Sequence, residues 1–82
     1  MSQTATVTVR YWAGARAAAG VDSDAHLGAT VGDVLESAVL AHPGLARVAA
    51  VATFLVDGRK ADRSTPVLAG VTVEVLPPFA GG

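Results

Sequence analysis

The sequence predicts an α+β domain in which one main helix packs on one face of a sheet. Segments near both ends of the chain alternate apolar and polar residues as strands do, and a central segment has the periodicity of an amphipathic helix. The 82 residues are enough for one core, and a composition of 51% hydrophobic and 16% charged residues favours a folded chain over a disordered one.

The first third of the chain predicts a strand, a short helix and a second strand. Residues alternate from Thr4 to Trp12, so every second side chain shares one face of a strand. The alanine-rich segment Ala13 to Ala19 is closed by Gly20 and predicts a short helix. After a polar turn, Ala25 to Leu27 predicts a short strand paired with the first.

The central segment predicts the main helix. Thr30 is a suitable N-cap, and Asp33 is a weaker form of the capping-box acid. Pro43 ends the helix, because proline disfavours helical geometry at the residue before it. The apolar stripe consists of residues three and four apart: Val31, Val34, Leu35, Ala38, Val39 and His42.

The second half predicts a hairpin and a final strand. Leu45 to Ala49 is interpreted as a connector or one more helical turn, and the apolar run Ala50 to Val56 as a central strand buried on both faces. Asp57-Gly58 is a hairpin turn signal that leads to a short return strand over Arg59 to Asp62. Val71 to Leu76 alternates again, and this last strand can lie beside the first in the middle of the sheet.

The last six residues predict the functional site. Residues 1–76 are expected to form the domain, and 77–82 an extended tail that two prolines stiffen. Phe79 has little local sequence to bury it and is suited to anchor in a pocket of a partner. Gly81-Gly82 carry no side chains, so a terminal carboxylate can enter a narrow active site of another protein. The predicted partner-binding residues are Pro77, Pro78, Phe79, Ala80 and Gly81, and Gly82 is the predicted reacting residue.

Composition excludes several classes of function. The chain has no cysteine, so thiol catalysis, disulfides and Cys-ligated zinc are excluded. Six Lys and Arg against seven Asp and Glu argue against nucleic acid or acidic membranes as main partners. No apolar run approaches the roughly 20 residues of a membrane helix, and Met1 to Thr4 lacks signal-peptide features, so we expect a cytoplasmic protein.

Few side chains outside the tail suggest a catalytic or metal-binding role. No catalytic constellation and no metal-ligand spacing are visible, so the sequence predicts neither an autonomous enzyme nor a metal site. His42 is interpreted as a helix C-terminal residue favoured by the helix dipole, and His26 is assigned no role. Trp12 is expected either to cover the short helix or to form part of an exposed docking patch.

Three stretches of the sequence resemble the MoaD/ThiS family of sulfur carriers, and most closely the small subunit of molybdopterin synthase. They are Val9 to Arg16, Gly28 to Leu35 and Val73 to Gly82, of which only the last is specific. The segment Ala69 to Thr72 departs from the acidic turn that many members carry before the last strand. The resemblance implies a β-grasp, ubiquitin-like fold with a mixed sheet.

The resemblance also implies a mechanism and its partners. An E1-like adenylyltransferase of the MoeB/ThiF type would use ATP and magnesium to adenylate Gly82, and this chain would bind no cofactor itself. A sulfur donor such as a rhodanese or a cysteine desulfurase would convert the adenylate to a thiocarboxylate. The tail would then insert into a MoaE-like large subunit and give its sulfur to the molybdopterin precursor.

Other functions agree with the same tail. The chain could carry sulfur to thiazole, to cysteine or to a secondary metabolite. As a ubiquitin-like modifier, it would instead form an isopeptide bond between Gly82 and a lysine of a target protein. A plain binding module would use no covalent chemistry at all.

Overall fold

Residues 4–78 are described by the structure, a computed structural model. Within this range the chain forms five strands and three helices. In chain order they are β1 (Ala5–Tyr11), α1 (Gly14–Ala19), β2 (Ser23–Gly28), α2 (Val31–Ala41), α3 (Leu45–Ala49), β3 (Thr53–Val56), β4 (Arg59–Ala61) and β5 (Thr72–Leu76). No helix in residues 4–78 combines the length and the apolar character needed to cross a membrane.

The strands form one mixed sheet in the order β2-β1-β5-β3-β4. β1 and β5 are parallel neighbours, with Val9 opposite Val73 and Tyr11 opposite Val75. The pairs β1–β2, β3–β5 and β3–β4 are antiparallel. The predicted pairing of the first strand with the second and with the last is therefore confirmed, and β5 is the middle strand.

The core lies between the helices and one face of the sheet. Alternate residues of β1 and β5 point into it, and they pack in one cluster with the buried residues of all three helices. The opposite face of β1 carries exposed polar side chains such as Thr6 and Thr8. The predicted layer of helix on one face of a sheet is thus confirmed.

The main helix begins and packs as its sequence predicts. The Thr30 hydroxyl accepts a hydrogen bond from the backbone N–H of Asp33 at 3.2 Å, and the Asp33 carboxylate accepts one from the N–H of Ala29 at 3.1 Å. These bonds satisfy donors at the start of the helix that have no partner within it. The fully buried residues of α2 are Val31, Val34, Leu35 and Ala38.

Two boundaries differ from the prediction. The strand expected over Ala50 to Val56 covers only Thr53–Val56, because the residues before it form the turn that follows α3. In this turn the Val51 N–H donates to the Val48 carbonyl and the Ala52 N–H to the Ala49 carbonyl. The prediction that this strand is buried on both faces is wrong. Phe54 is buried but Thr53 is exposed, since the helices cover only one side of the sheet. The second strand starts at Ser23, two residues before its predicted start, in a segment interpreted as a turn.

Candidate functional site

The tail departs from the end of the middle strand. Val75 pairs with Tyr11 on one side and with Phe54 on the other, and its carbonyl also accepts a hydrogen bond from the Trp12 N–H at 3.2 Å. Leu76 ends β5 opposite Thr53. The strand that leads to the tail is therefore held by hydrogen bonds on both flanks.

The structure describes only the base of the predicted site. Pro77 is half-buried and Pro78 is exposed, directly after β5. The other predicted site residues, Phe79, Ala80, Gly81 and Gly82, lie outside the described residues. The geometry therefore tests where the tail starts, and the roles assigned to those four residues stay predictions.

A groove of about 400 Å³ flanks the base of the tail. Its walls come from the start of α1, from α3 and the turn after it, and from the two prolines. The lining residues are Ala13, Gly14, Arg47, Val48, Val51, Pro77 and Pro78. Val51 is 65% exposed, so an apolar side chain is available to a partner beside the tail.

A second exposed feature lies on the open face of the sheet. The Trp12 indole N–H donates to Glu74 Oε1 at 2.9 Å, and the Arg10 guanidinium lies 4.8 Å from the centroid of the indole ring. Trp12 is 40% exposed, and Leu27 on the same face is 57% exposed. This exposure fits the predicted surface patch, whose contact with a partner stays a prediction.

A polar cluster lies on the opposite, helix-covered side of β1 and β2. The Asp24 carboxylate is at its centre, and its two oxygens lie 2.8 Å from His26 Nε2 and 2.6 Å from His42 Nε2. The Tyr11 hydroxyl donates to the same carboxylate at 2.7 Å, and His26 Nδ1 lies 2.9 Å from Ser37 Oγ. The cluster therefore links both strands to the middle and the end of α2.

The polar cluster changes the pKa values of two of its side chains, Tyr11 and Asp24. Burial raises the pKa of Tyr11, and the hydrogen bond to Asp24 and the charge of that carboxylate raise it further, so the phenol stays neutral. Burial also acts to raise the pKa of Asp24. Hydrogen bonds from His42 and Tyr11, together with the nearby His26, outweigh this effect, and the pKa of Asp24 lies below its ordinary value.

This lowered pKa predicts how acid destabilises the domain. Because the folded state binds the Asp24 proton more weakly than the unfolded chain, the contribution is present above an unfolded pKa of about 3.9 and is lost as the pH falls through the folded pKa. We expect the free energy of unfolding to fall more steeply below about pH 4 in the wild type than in Asp24→Asn. Urea unfolding at a series of pH values measures both slopes, and parallel curves would contradict the prediction.

Sequence reasoning missed this cluster. His26 was assigned no role and His42 only an interaction with the helix dipole, yet both bind the same carboxylate. The signal available was that Tyr11, Asp24 and His26 all occupy inward-facing strand positions. Polar residues at such positions need partners from the neighbouring elements.

A family profile and several solved structures are similar to this chain. The sequence profile of the ThiS family matches residues 9–82. No curated protein sequence matches the chain significantly. The solution structure of small archaeal modifier protein 1 from Methanosarcina acetivorans is 25% identical, with a TM-score of 0.90, covering 99% of this chain and 100% of the other.

The names of two further solved structures refer to molybdopterin converting factor. A protein from Pyrococcus furiosus, assigned provisionally as molybdopterin converting factor subunit 1, is 27% identical with a TM-score of 0.80, covering 92% of this chain and 99% of the other. One chain of the complex between subunits 1 and 2 of molybdopterin converting factor from Helicobacter pylori is 20% identical, with a TM-score of 0.69. The match covers 94% of this chain and 99% of the other. This last likeness shows the fold alone. The fold is the predicted β-grasp.

Proposed function

Since the chain belongs to the ThiS family, we propose that it is a sulfur carrier that works through the C-terminal carboxylate of Gly82 in molybdopterin synthesis. One structural observation gives the strongest support to this proposed function. The chain leaves the domain from β5, the middle strand, which both neighbours hold by hydrogen bonds up to the start of the tail. A rigid base of this kind can present a thin chain end to an enzyme.

The proposed cycle leaves the catalytic side chains to the partners. An E1-like enzyme with ATP and magnesium lets a Gly82 carboxylate oxygen attack the α-phosphate, and pyrophosphate leaves. The terminal sulfur of a persulfide on a rhodanese or cysteine desulfurase then attacks the acyl carbon, and AMP leaves. A thiol reductant cleaves the resulting acyl disulfide, so that a thiocarboxylate remains on Gly82 and the thiol ends in a disulfide with the donor cysteine. The adenylate is needed because a carboxylate is a poor electrophile with no good leaving group. Because the cycle consumes ATP, we propose that it runs in the cytoplasm.

One solved relative supports molybdopterin synthesis as the pathway. The Pyrococcus furiosus protein, 27% identical, is assigned provisionally as subunit 1 of molybdopterin converting factor. We propose that this chain pairs with a MoaE-like large subunit. The groove beside Pro77 and Pro78 and the open sheet face around Trp12 are the surfaces offered for this contact.

Phe79 allows a test of docking apart from folding. We expect Phe79→Ala to weaken binding to the large subunit while leaving the melting temperature nearly unchanged, because the residue follows the exposed Pro78. The matched control is Phe54→Ala, which removes a buried ring and should cost about 3–5 kcal/mol of stability. Calorimetric titration and thermal unfolding measure the two effects. A large loss of melting temperature in Phe79→Ala would place its ring in the core.

A second candidate function is protein modification. The relative from Methanosarcina acetivorans is a modifier protein, and the same Gly82 adenylate could be attacked by a lysine amine of a target. The product would be an isopeptide bond with loss of AMP. The first steps of the two functions are identical, so only the fate of the C-terminus separates them.

Protein purified from its own host tests both functions. Sulfur transport predicts an intact chain whose mass shows one C-terminal oxygen replaced by sulfur, together with a co-purifying large subunit. Modification predicts tryptic peptides in which Gly82 is joined to lysines of other proteins. A C-terminus that is always a free carboxylate, with full function after deletion of Gly81-Gly82, would contradict both.

A further inference from the structure

We propose that Asp24, His26 and His42 form a binding site for a divalent transition-metal ion such as Zn²⁺. The three side chains come from β2 and from the residue that caps the end of α2. The proposed sulfur cycle makes no use of them. The site is independent of the tail chemistry, so either proposal can fail without the other.

The donor atoms already converge. One donor atom from each of the three residues lies within 4.8 Å of the other two. In a tetrahedral zinc site with bonds of about 2.1 Å, neighbouring ligand atoms lie about 3.4 Å apart. The His26 and His42 Nε2 atoms contact different Asp24 oxygens, at 2.8 and 2.6 Å, and these contacts have to open by less than about 1 Å. Donor atoms as far apart as 4.8 Å have to approach by up to about 1.4 Å. Such a change is within the reach of small side-chain rotations.

The surrounding hydrogen bonds suit metal ligands. A ligating imidazole usually donates its other N–H to a fixed acceptor, which sets the tautomer and the orientation of the ring. His26 Nδ1 lies 2.9 Å from Ser37 Oγ, which can take that role. The Tyr11 hydroxyl holds the Asp24 carboxylate at 2.7 Å. His26 is only 7% exposed, so its ring is held in place.

The donor set selects the class of ion. Two imidazole nitrogens and one carboxylate oxygen suit zinc and its first-row neighbours, whereas magnesium and calcium prefer oxygen ligands only. Asp24 and His42 are partly exposed, which provides an entry path and room for water as a fourth ligand.

Binding moves protons in a defined way. An ionised carboxylate only accepts hydrogen bonds, so the contacts of Asp24 with His26 and His42 require a proton on each Nε2 atom. The metal forms bonds to both Nε2 atoms and to one carboxylate oxygen, so both Nε2 atoms give up their protons. A neutral ring takes up a proton on Nδ1 in exchange, with no net release, whereas an imidazolium keeps its Nδ1 proton and releases the other to solvent.

Zinc titration of the untagged, chelator-treated chain tests the site. The chain has two histidines and no cysteine, so imidazole-dependent binding can arise only from this cluster. We expect saturable one-to-one binding of Zn²⁺ and none of Mg²⁺ by calorimetry. Ser37→Ala should bind about 10- to 100-fold more weakly, and His42→Gln more weakly still. The exposed Asp62→Asn, outside the cluster, should bind as the wild type does.

A spectroscopic readout separates ligation from a structural role. Long-range ¹H–¹⁵N spectra should show both rings as Nδ1–H tautomers in the presence of zinc, a change that a purely structural cluster would not produce. Circular dichroism checks that each variant is folded, and the wild-type titration needs no substitution. Absence of saturable zinc binding in the wild type, or equal affinity in His42→Gln, would overturn the proposal.

Discussion

Adding one alanine after Gly82 should abolish adenylation by the E1-like partner. The Gly82 carboxylate becomes a peptide carbonyl, which cannot attack ATP. The new carboxylate lies roughly 3.5 Å further along the chain, on a residue with a side chain. The expected result is no detectable ATP–pyrophosphate exchange above background. Gly82→Ala keeps the carboxylate in register and should slow transfer without abolishing it.

The same extension should leave the domain unchanged. β5 ends at Leu76, six residues before Gly82, and the added alanine follows Gly82. The melting temperature should therefore equal that of the wild type. An alanine added before Met1 is the matched control and should leave both exchange and melting unaffected. Exchange at the wild-type rate in the C-terminal extension would exclude Gly82 as the reacting residue.

Gly28→Ala should strongly destabilise the fold. An added Cβ would lie 2.8 Å from the Asp33 Cβ and from both the backbone N and the Cγ2 of Val34. Real Cβ atoms do not approach backbone so closely, so β2 and the start of α2 have to separate. That movement would strain the hydrogen bonds from Ala29 and Asp33 that cap the helix.

The expected cost of Gly28→Ala is about 1–3 kcal/mol, as for overpacked cores. In a domain of this size it corresponds to a fall in melting temperature of at least about 5 °C. Gly14→Ala is the matched control, because its added Cβ meets nothing within 4 Å and alanine favours the start of α1. Thermal unfolding measures both variants. Equal melting temperatures for Gly28→Ala and Gly14→Ala would contradict the prediction that β2 and α2 pack too closely at Gly28 to admit a Cβ atom.

Local patterns in the sequence predicted most of the fold. Period-two alternation placed β1 and β5, and the apolar stripe with its Thr30 cap placed α2. Asp57-Gly58 marked the hairpin correctly, since Asp57 and Gly58 both have positive φ. These features depend on a few neighbouring residues, so periodicity and turn chemistry could identify them.

Features that depend on distant residues were harder to predict. The run from Val48 to Val56 is apolar except for Thr53, so periodicity could not separate the end of α3 from the start of β3. The contacts of Asp24 with Tyr11 and His42 join residues 13 and 18 positions away in sequence. Which side chains meet across β1, β2 and α2 follows from strand register and helix packing, which the linear pattern does not contain.

The candidate site was predicted from composition and order rather than from geometry. Two prolines after an alternating strand, an aromatic residue and a terminal Gly-Gly marked the tail, and β5 supplies its base. The groove beside Pro77 and Pro78 could not be predicted, because α1, α3 and the end of β5 form it together.

The intact mass of the chain after reaction with an activating enzyme tests the central claim most directly. The wild-type protein is incubated with an E1-like adenylyltransferase, ATP, magnesium and sulfide, and the C-terminal peptide is then sequenced by mass spectrometry. We predict that one oxygen of the Gly82 carboxylate is replaced by sulfur, and that no replacement occurs without ATP. An unchanged carboxylate, with an enzyme that thiocarboxylates another carrier under the same conditions, would contradict the account.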